Sequence, residues 1–190
     1  MNVYDFDKTI YNGDSTVDFW KWCLKKYPKT RRDLLMQGVW GIGFVLKIVP
    51  KTRFKENFYR FLSRIPNTAV AVEEFWKEHR SKIKSWYLET KRTDDVIISA
   101  SPEFLLAPIC KELGVERMMA SRVDPSNGTY AGVNCHGEEK IIRFREHYHD
   151  AQIESFFSDS HSDDPMAKIS PKAVWVKGND FSEWKFKNKR

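Results

Sequence analysis

Cysteine is scarce: Cys23, Cys110 and Cys135 are the only three in 190 residues, and no two form a CxxC pair. An odd, unpaired set excludes a disulfide framework and a closed structural zinc site, and it fits a reducing compartment. Glycine and proline are few, at 9 and 8, which excludes collagen-like and linker-rich architectures. Long hydrophobic runs are missing too. The longest, Val39 to Val49, has eleven residues with Lys47 inside it, about half of the ~20 that a membrane span needs. The opening MNVYDFDKTI has neither the charged n-region nor the apolar h-region of a secretory leader, so no membrane span and a cytoplasmic location are expected. Internal repeats and low-complexity stretches are absent as well.

What is present suits a globular domain. Hydrophobic residues make up 41% and charged residues 31%, and 13 Phe, 7 Trp and 7 Tyr supply ample core material. The net charge is +6, but it is unevenly placed. Residues 12–91 carry 17 Lys and Arg against 8 Asp and Glu, whereas the remainder carries 15 against 18.

The patterning changes twice along the chain. Val3, Tyr4 and Phe6 have strand propensity and run into a polar loop. Residues 12–91 read as helical. Asp14 or Ser15 caps a helix to Tyr27, where Pro28 ends it. Further helices are expected over Thr30 to Val49, Thr52 to Leu62, and Asn67 or Thr68 to Thr90. From residue 92 the pattern alternates again. Val96-Ile97-Ile98 is a strand, and Pro102 suits the first turn of a helix to Leu113, with Ser101 as its N-cap. Asp124-Pro125-Ser126-Asn127-Gly128 is a turn, read as the tip of a hairpin between Arg117–Val123 and Gly128–Cys135. A helix from Glu138 to His149, a strand at Phe156-Phe157, a short helix over Asp164 to Ile169 and a strand over Ala173 to Val176 complete the pattern. The tail from Lys177 is polar and basic and reads as frayed.

This order predicts an α/β fold: a Rossmann-like, mostly parallel sheet core with an inserted helical cap domain. Residues 1–11 and 92–190 form the core, and 12–91 form the cap. Ligands of open α/β sheets bind beyond the carboxyl ends of the strands. Three polar clusters fall at such ends: Asp5-Phe6-Asp7-Lys8-Thr9, Ser99-Ala100-Ser101 and Asp159-Ser160-His161-Ser162-Asp163-Asp164. A fourth surrounds Lys140, at a helix start.

These four clusters resemble, in order and spacing, the four motifs of the haloacid dehalogenase superfamily of phosphotransferases. Asp5 to Thr9 looks like its DxDx[TV] motif, Ser99 its second, Lys140 its third, and Asp159-Ser160-His161-Ser162-Asp163 the DSxxD form of its fourth. The insertion resembles a C1 cap, and the layout is closest to the phosphoserine-phosphatase-like branch. The resemblance implies a phosphomonoester hydrolase with an aspartyl-phosphate intermediate. Asp5 is then the nucleophile and Asp7 the general acid and base, while Ser99 and Lys140 bind the phosphoryl group. It implies Mg²⁺ held by the Asp5 carboxylate, the Asp7 backbone carbonyl and Asp159, with Asp163 acting through a water; Asp164 is a rival for that last place. One group serving as both acid and base must sit near its own titration point, so Asp7 is expected to ionise less readily than Asp5.

The expected substrate is a small phosphorylated metabolite or a phospholipid-like monoester. Phosphoserine phosphatases carry a Glu nine positions after the nucleophile, where this chain has Asp14, and Arg53 is one candidate for a carboxylate-holding arginine. A basic, aromatic cap attracts phosphorylated ligands and can shelter an apolar tail along Val39 to Val49. The alternative is a non-hydrolytic module that binds nucleic acid or a phospho-ligand through that cap. Acidic clusters would repel a nucleic-acid backbone, so no nucleic-acid partner is expected. His161 is read as a bystander, Cys135, His136, His147 and His149 as no metal site, and the run Lys25, Lys26, Lys29, Arg31, Arg32 as a solvated face.

Overall fold

The computed structural model describes residues 1–48 and 57–186. Its centre is one six-stranded sheet in the order β3-β2-β1-β4-β5-β6. The strands are β1 (Asn2–Tyr4), β2 (Val96–Pro102), β3 (Arg117–Ser121), β4 (Ser155–Ser158), β5 (Lys172–Lys177) and β6 (Asp180–Glu183). All pairings are parallel except β5–β6, which is antiparallel. Strand order therefore reverses at β1, which has β2 on one side and β4 on the other. A crevice opens at such a switch point beyond the strand ends.

Between β1 and β2 lie α1 (Ser15–Lys26), α2 (Leu34–Val45), α3 (Thr68–His79) and α4 (Ser85–Thr90). Short 3-10 turns at Pro28–Asp33, Arg60–Arg64 and Arg80–Lys82 connect them. After β2 come α5 (Glu103–Glu112), α6 (Glu138–Tyr148) and α7 (Asp164–Lys168). Among the described residues no helix is long and apolar enough to cross a membrane.

Side-chain alternation divides the core between the two faces of the sheet. Tyr4 and Ile97 point into a cluster with Phe19, Phe75, Trp76 and Leu105. Val3, Val96 and Ile98 point the other way, onto Phe144, Phe156, Met166 and Trp184. The aromatics of the inserted helices thus share a core with the sheet. Trp76 reinforces the junction by donating its indole N–H to the Leu105 carbonyl of α5 at 2.7 Å.

Several expected elements differ. The helix expected over Thr30 to Val49 runs only from Leu34, after the 3-10 turn, to Val45; Pro50, its expected stop, lies outside the described residues. The described end of the next expected helix, which starts at Thr52, is 3-10 from Arg60. The helix expected to reach Thr90 breaks at Ile83 and Lys84, which are extended. The break is tertiary: Lys84 donates its backbone N–H to the Ile10 carbonyl at 2.8 Å, and Ile83 bridges to Tyr11. The turn at Asp124 forms, but only Val123 and Tyr130 bridge across it; Arg117–Ser121 is instead the edge strand β3, paired in parallel with β2. Where a frayed tail is expected, β6 pairs with β5 and buries Trp184.

Gly128 closes that turn at a φ of +82°, and an added Cβ would lie 2.5 Å from Tyr59 Cβ and 2.6 Å from the Tyr59 carbonyl oxygen. Gly128→Ala should therefore lower the unfolding free energy by about 2 kcal/mol or more. A urea midpoint that drops while the slope stays constant checks this; an unchanged midpoint contradicts the close approach.

Candidate active site

β1 ends at Tyr4, and the Asp5 backbone N–H continues the ladder by donating to the Phe157 carbonyl at 2.9 Å. Extended backbone alternates sides, so Phe6 turns into the core while Asp5 and Asp7 both face the crevice. The loop then folds back. Ile10 and Tyr11 donate to the Phe6 carbonyl, and Lys8 takes a left-handed φ of 58°. Buried Lys84 holds the loop from below, with its ammonium donating to the Lys8 and Gly178 carbonyls at 2.6 Å each. Its residence in the helical break explains why that break exists.

The deepest contact joins three motifs. Lys140, in the first turn of α6, is almost fully buried, and its Nζ donates to Asp5 Oδ1 and Asp163 Oδ2, each at 2.8 Å. Ser158, the last residue of β4, donates its hydroxyl to the same Asp163 oxygen at 2.7 Å. Burial alone would push the Lys140 pKa down, but the two carboxylates outweigh it and raise the pKa. Asp5 is raised to about 7: burial is the main cause, Lys140 pulls it back, and Asp163 pushes it up again. One ammonium facing two carboxylates leaves a negative charge without a partner. Asp163 Oδ1 is buried with no hydrogen bond.

Asp7 lies on the other side of the pocket, toward α1 and β2. Ser15 donates its backbone N–H to Oδ1 at 2.7 Å, and Ser101 donates its hydroxyl to Oδ2. Burial and the nearby Asp14 raise the Asp7 pKa to about 6, and the bonds from Ser101 and Ser15 oppose the rise. Burial thus raises both carboxyls of the loop, with Ser101 and Ser15 stabilising the Asp7 anion while Asp5 shares Lys140 with Asp163. Ser99 is buried and lines the pocket, and its oxygen accepts from the Ser101 backbone N–H at 3.1 Å. That leaves its hydroxyl proton available as a donor.

Asp159 also lines the pocket, and burial raises its pKa. Asp163 and Asp164 separate clearly. Asp163 faces Lys140, whereas Asp164 accepts from Trp184 Nε1 at 2.8 Å and contacts His161 at 3.2 Å. Asp14 caps α1 by accepting from the Val17 N–H at 2.9 Å. Ser101 is not the cap of α5, because Pro102 holds that position without a side-chain bond. Sequence reasoning missed Ser101 and Ser158 as carboxylate partners. Ser101 carried a readable signal: it lies two residues beyond Ser99, on the same side of an extended segment. Lys84 carried none.

The pocket has a volume of about 170 Å³ and opens to solvent. Five carboxylates line it (Asp5, Asp7, Asp14, Asp159 and Asp163) against two ammonium groups, Lys8 and Lys140. Among the described residues no three side chains from His, Cys, Asp and Glu form a ready-made metal cage. A small hard cation takes one or two carboxylates and keeps several waters. The unpartnered Asp163 oxygen and the surplus of negative charge fit such an ion.

The family model of haloacid dehalogenase-like hydrolases matches residues 3–168. Protein CicA of Caulobacter vibrioides (strain NA1000 / CB15N) is 30% identical over 185 residues, covering 88% of this chain and 82% of CicA. A histidinol-phosphatase of Neisseria meningitidis serogroup C (strain 8013) is 22% identical over 201 residues, covering 93% and 89% respectively. A Bordetella pertussis Tohama I protein of unknown function shares the fold, with a TM-score of 0.73, 18% identity, and coverage of 92% of this chain and 88% of that one.

Two outcomes follow from the electrostatics. Lys140→Met leaves two buried carboxylates without their cation and should cost about 3 kcal/mol or more in urea unfolding; a cost below about 1 kcal/mol would contradict the pairing. Asp5 and Asp7 keep their protons to about 7 and about 6, above the ordinary value of about 4. Between about pH 4 and pH 7 the folded chain then binds more protons than the unfolded one, and stability falls as pH rises. Thermal midpoints in EDTA should decline across this window, and less steeply for Asp7→Asn; equal slopes would contradict the raised Asp7 pKa.

Proposed function

We propose that this chain, a phosphatase that belongs to the haloacid dehalogenase-like hydrolase family, hydrolyses small phosphomonoesters through an aspartyl-phosphate on Asp5. The observation that carries the reading is the buried Asp5–Lys140–Asp163 contact with the Asp7 carboxyl beside it. A phosphomonoester dianion repels nucleophiles, so the site must offer positive charge, a held nucleophile and a proton for the leaving oxygen.

In the first step an Asp5 oxygen attacks phosphorus, the phosphorus–ester oxygen bond breaks, and the leaving alkoxide takes the Asp7 proton. A carboxyl that titrates at about 6 is protonated in part at neutral pH, which suits a donor. In the second step water attacks phosphorus and gives its proton to Asp7. The bond to Asp5 breaks, and inorganic phosphate leaves. Lys140 and the Ser99 hydroxyl offset the charge on the phosphoryl oxygens. The Ser101 and Ser15 contacts hold Asp7 at its station through both steps.

Asp5, the Asp7 backbone carbonyl and Asp159 would hold Mg²⁺, with Asp163 behind them. When bound, the cation supplies the positive charge that Lys140 alone cannot provide for two carboxylates and a phosphate.

A volume of about 170 Å³ holds a phosphoryl group and a compact head. Asp14 spends one oxygen on capping α1, which weakens the case for phosphoserine; Arg53, the candidate partner for a serine carboxylate, lies outside the described residues. An alcohol phosphate without an amino acid head is the better fit.

The test is turnover of a generic aryl phosphate with added Mg²⁺ and with EDTA. Asp5→Asn should reduce kcat by about three orders of magnitude or more while the circular dichroism spectrum is unchanged. Asp159→Asn should raise the half-saturating Mg²⁺ concentration by about tenfold or more. Retained turnover in Asp5→Asn would falsify the nucleophile assignment, and an unaltered Mg²⁺ requirement would refute the ligand assignment.

A further inference from the structure

Helix α2 is inside out for a helix in water. Its sequence, LLMQGVWGIGFV, holds one polar side chain, Gln37, and that is the residue it buries. Gln37 is held at both ends: Nε2 donates to the Phe58 carbonyl at 2.8 Å, and Oε1 accepts from Trp20 Nε1 at 3.2 Å. The apolar side chains face out. Leu35 is 79% exposed, Val39 56%, Ile42 64% and Leu46 62%. Their spacing of four, three and four residues aligns them in one stripe, which Met36 and Val45 widen. Monomeric proteins in water rarely leave such a contiguous apolar strip uncovered.

The surrounding charge is of one sign. Residues 21–48 hold seven Lys and Arg against a single acid, Asp33. Asp33 is buried and paired with Arg64. Lys26 pairs with Glu74, but among the described residues Lys25, Lys29, Arg31, Arg32 and Lys47 form no ion pair with a carboxylate. Two such surfaces brought together would set cations against cations, which disfavours a second copy of the chain as the cover. Twelve residues of helix extend about 18 Å, short of the ~30 Å hydrocarbon core. The helix can therefore lie in a bilayer interface but cannot cross it.

We infer that α2 and the cations beside it form a docking surface for an anionic lipid bilayer, with the Leu35–Val39–Ile42–Leu46 stripe entering the acyl boundary while Lys29, Arg31, Arg32 and Lys47 meet the headgroups. Apolar burial and headgroup attraction act together, as they do for interfacial helices that lie on membranes without spanning them. This surface is separate from the catalytic pocket and does not depend on the reaction assigned to it.

The experiment is vesicle flotation of the full chain on phosphatidylcholine alone and on phosphatidylcholine mixed with phosphatidylglycerol. The chain should float with the mixed vesicles, far less with the neutral ones, and less again as salt rises. Leu35→Glu combined with Ile42→Glu should weaken flotation by about tenfold or more, and Lys29→Glu combined with Arg32→Glu should do the same. Neither pair lines the pocket, so aryl phosphate turnover reports that both variants are folded. Asp5→Asn should float like the parent chain, which separates this inference from the catalytic reading. A parent chain that stays soluble, or a Leu35/Ile42 variant that floats equally well, overturns it. So does light scattering that shows a dimer abolished by the same two substitutions, because the stripe would then be covered by a second copy.

Discussion

A single ammonium group shared by two buried carboxylates organises this molecule. Lys140 reaches Asp5 from α6, and Ser158 at the end of β4 and Asp163 beyond it complete the arrangement. Desolvating three charges is expensive, and the geometry recovers the cost only in part. The remaining debt appears as raised proton affinities at Asp5, Asp7 and Asp159. The Lys140 contact is by itself one positive charge short, and the pocket as a whole sets five carboxylates against two ammonium groups. The sheet order serves that balance: reversal at β1 puts the ends of β1 and β4 side by side.

Much of the site was readable because each chemical residue follows an apolar strand or opens a helix. Val3-Tyr4 before Asp5, Val96-Ile97-Ile98 before Ser99, and Phe156-Phe157 before Asp159 mark strand ends without any structure. Between Asp163 and Asp164 the residues alone decided nothing, and only the motif resemblance favoured Asp163. The choice depends on a one-residue rotation in a 3-10 turn, where Asp163 faces inward and Asp164 faces Trp184. Ser101 was misread as a cap because capping statistics are local, whereas its partner, Asp7, is 94 residues away.

The fold was legible to a similar depth. Hydrophobic runs placed the first five strands and most helices. What escaped was decided by distant contacts. Ile83 and Lys84 have helical neighbours but are held extended by Ile10 and Tyr11. The segment after Lys177 is polar, yet it pairs with β5 because that edge would otherwise be open and because Trp184 finds a place against Phe156. Periodicity cannot report on either circumstance.

The central strand has a further implication for biosynthesis. β1 spans three residues near the start of the sequence, yet its partners are Val96-Ile97 on one side and Ser155 to Phe157 on the other. Pairings so remote close late, since loop entropy must be offset first. A chain half emerged from the ribosome already carries Asp5 but neither β4 nor Lys140. The Asp5–Lys140–Asp163 contact therefore has to wait for the last third of the polypeptide, long after Asp5 itself has been made.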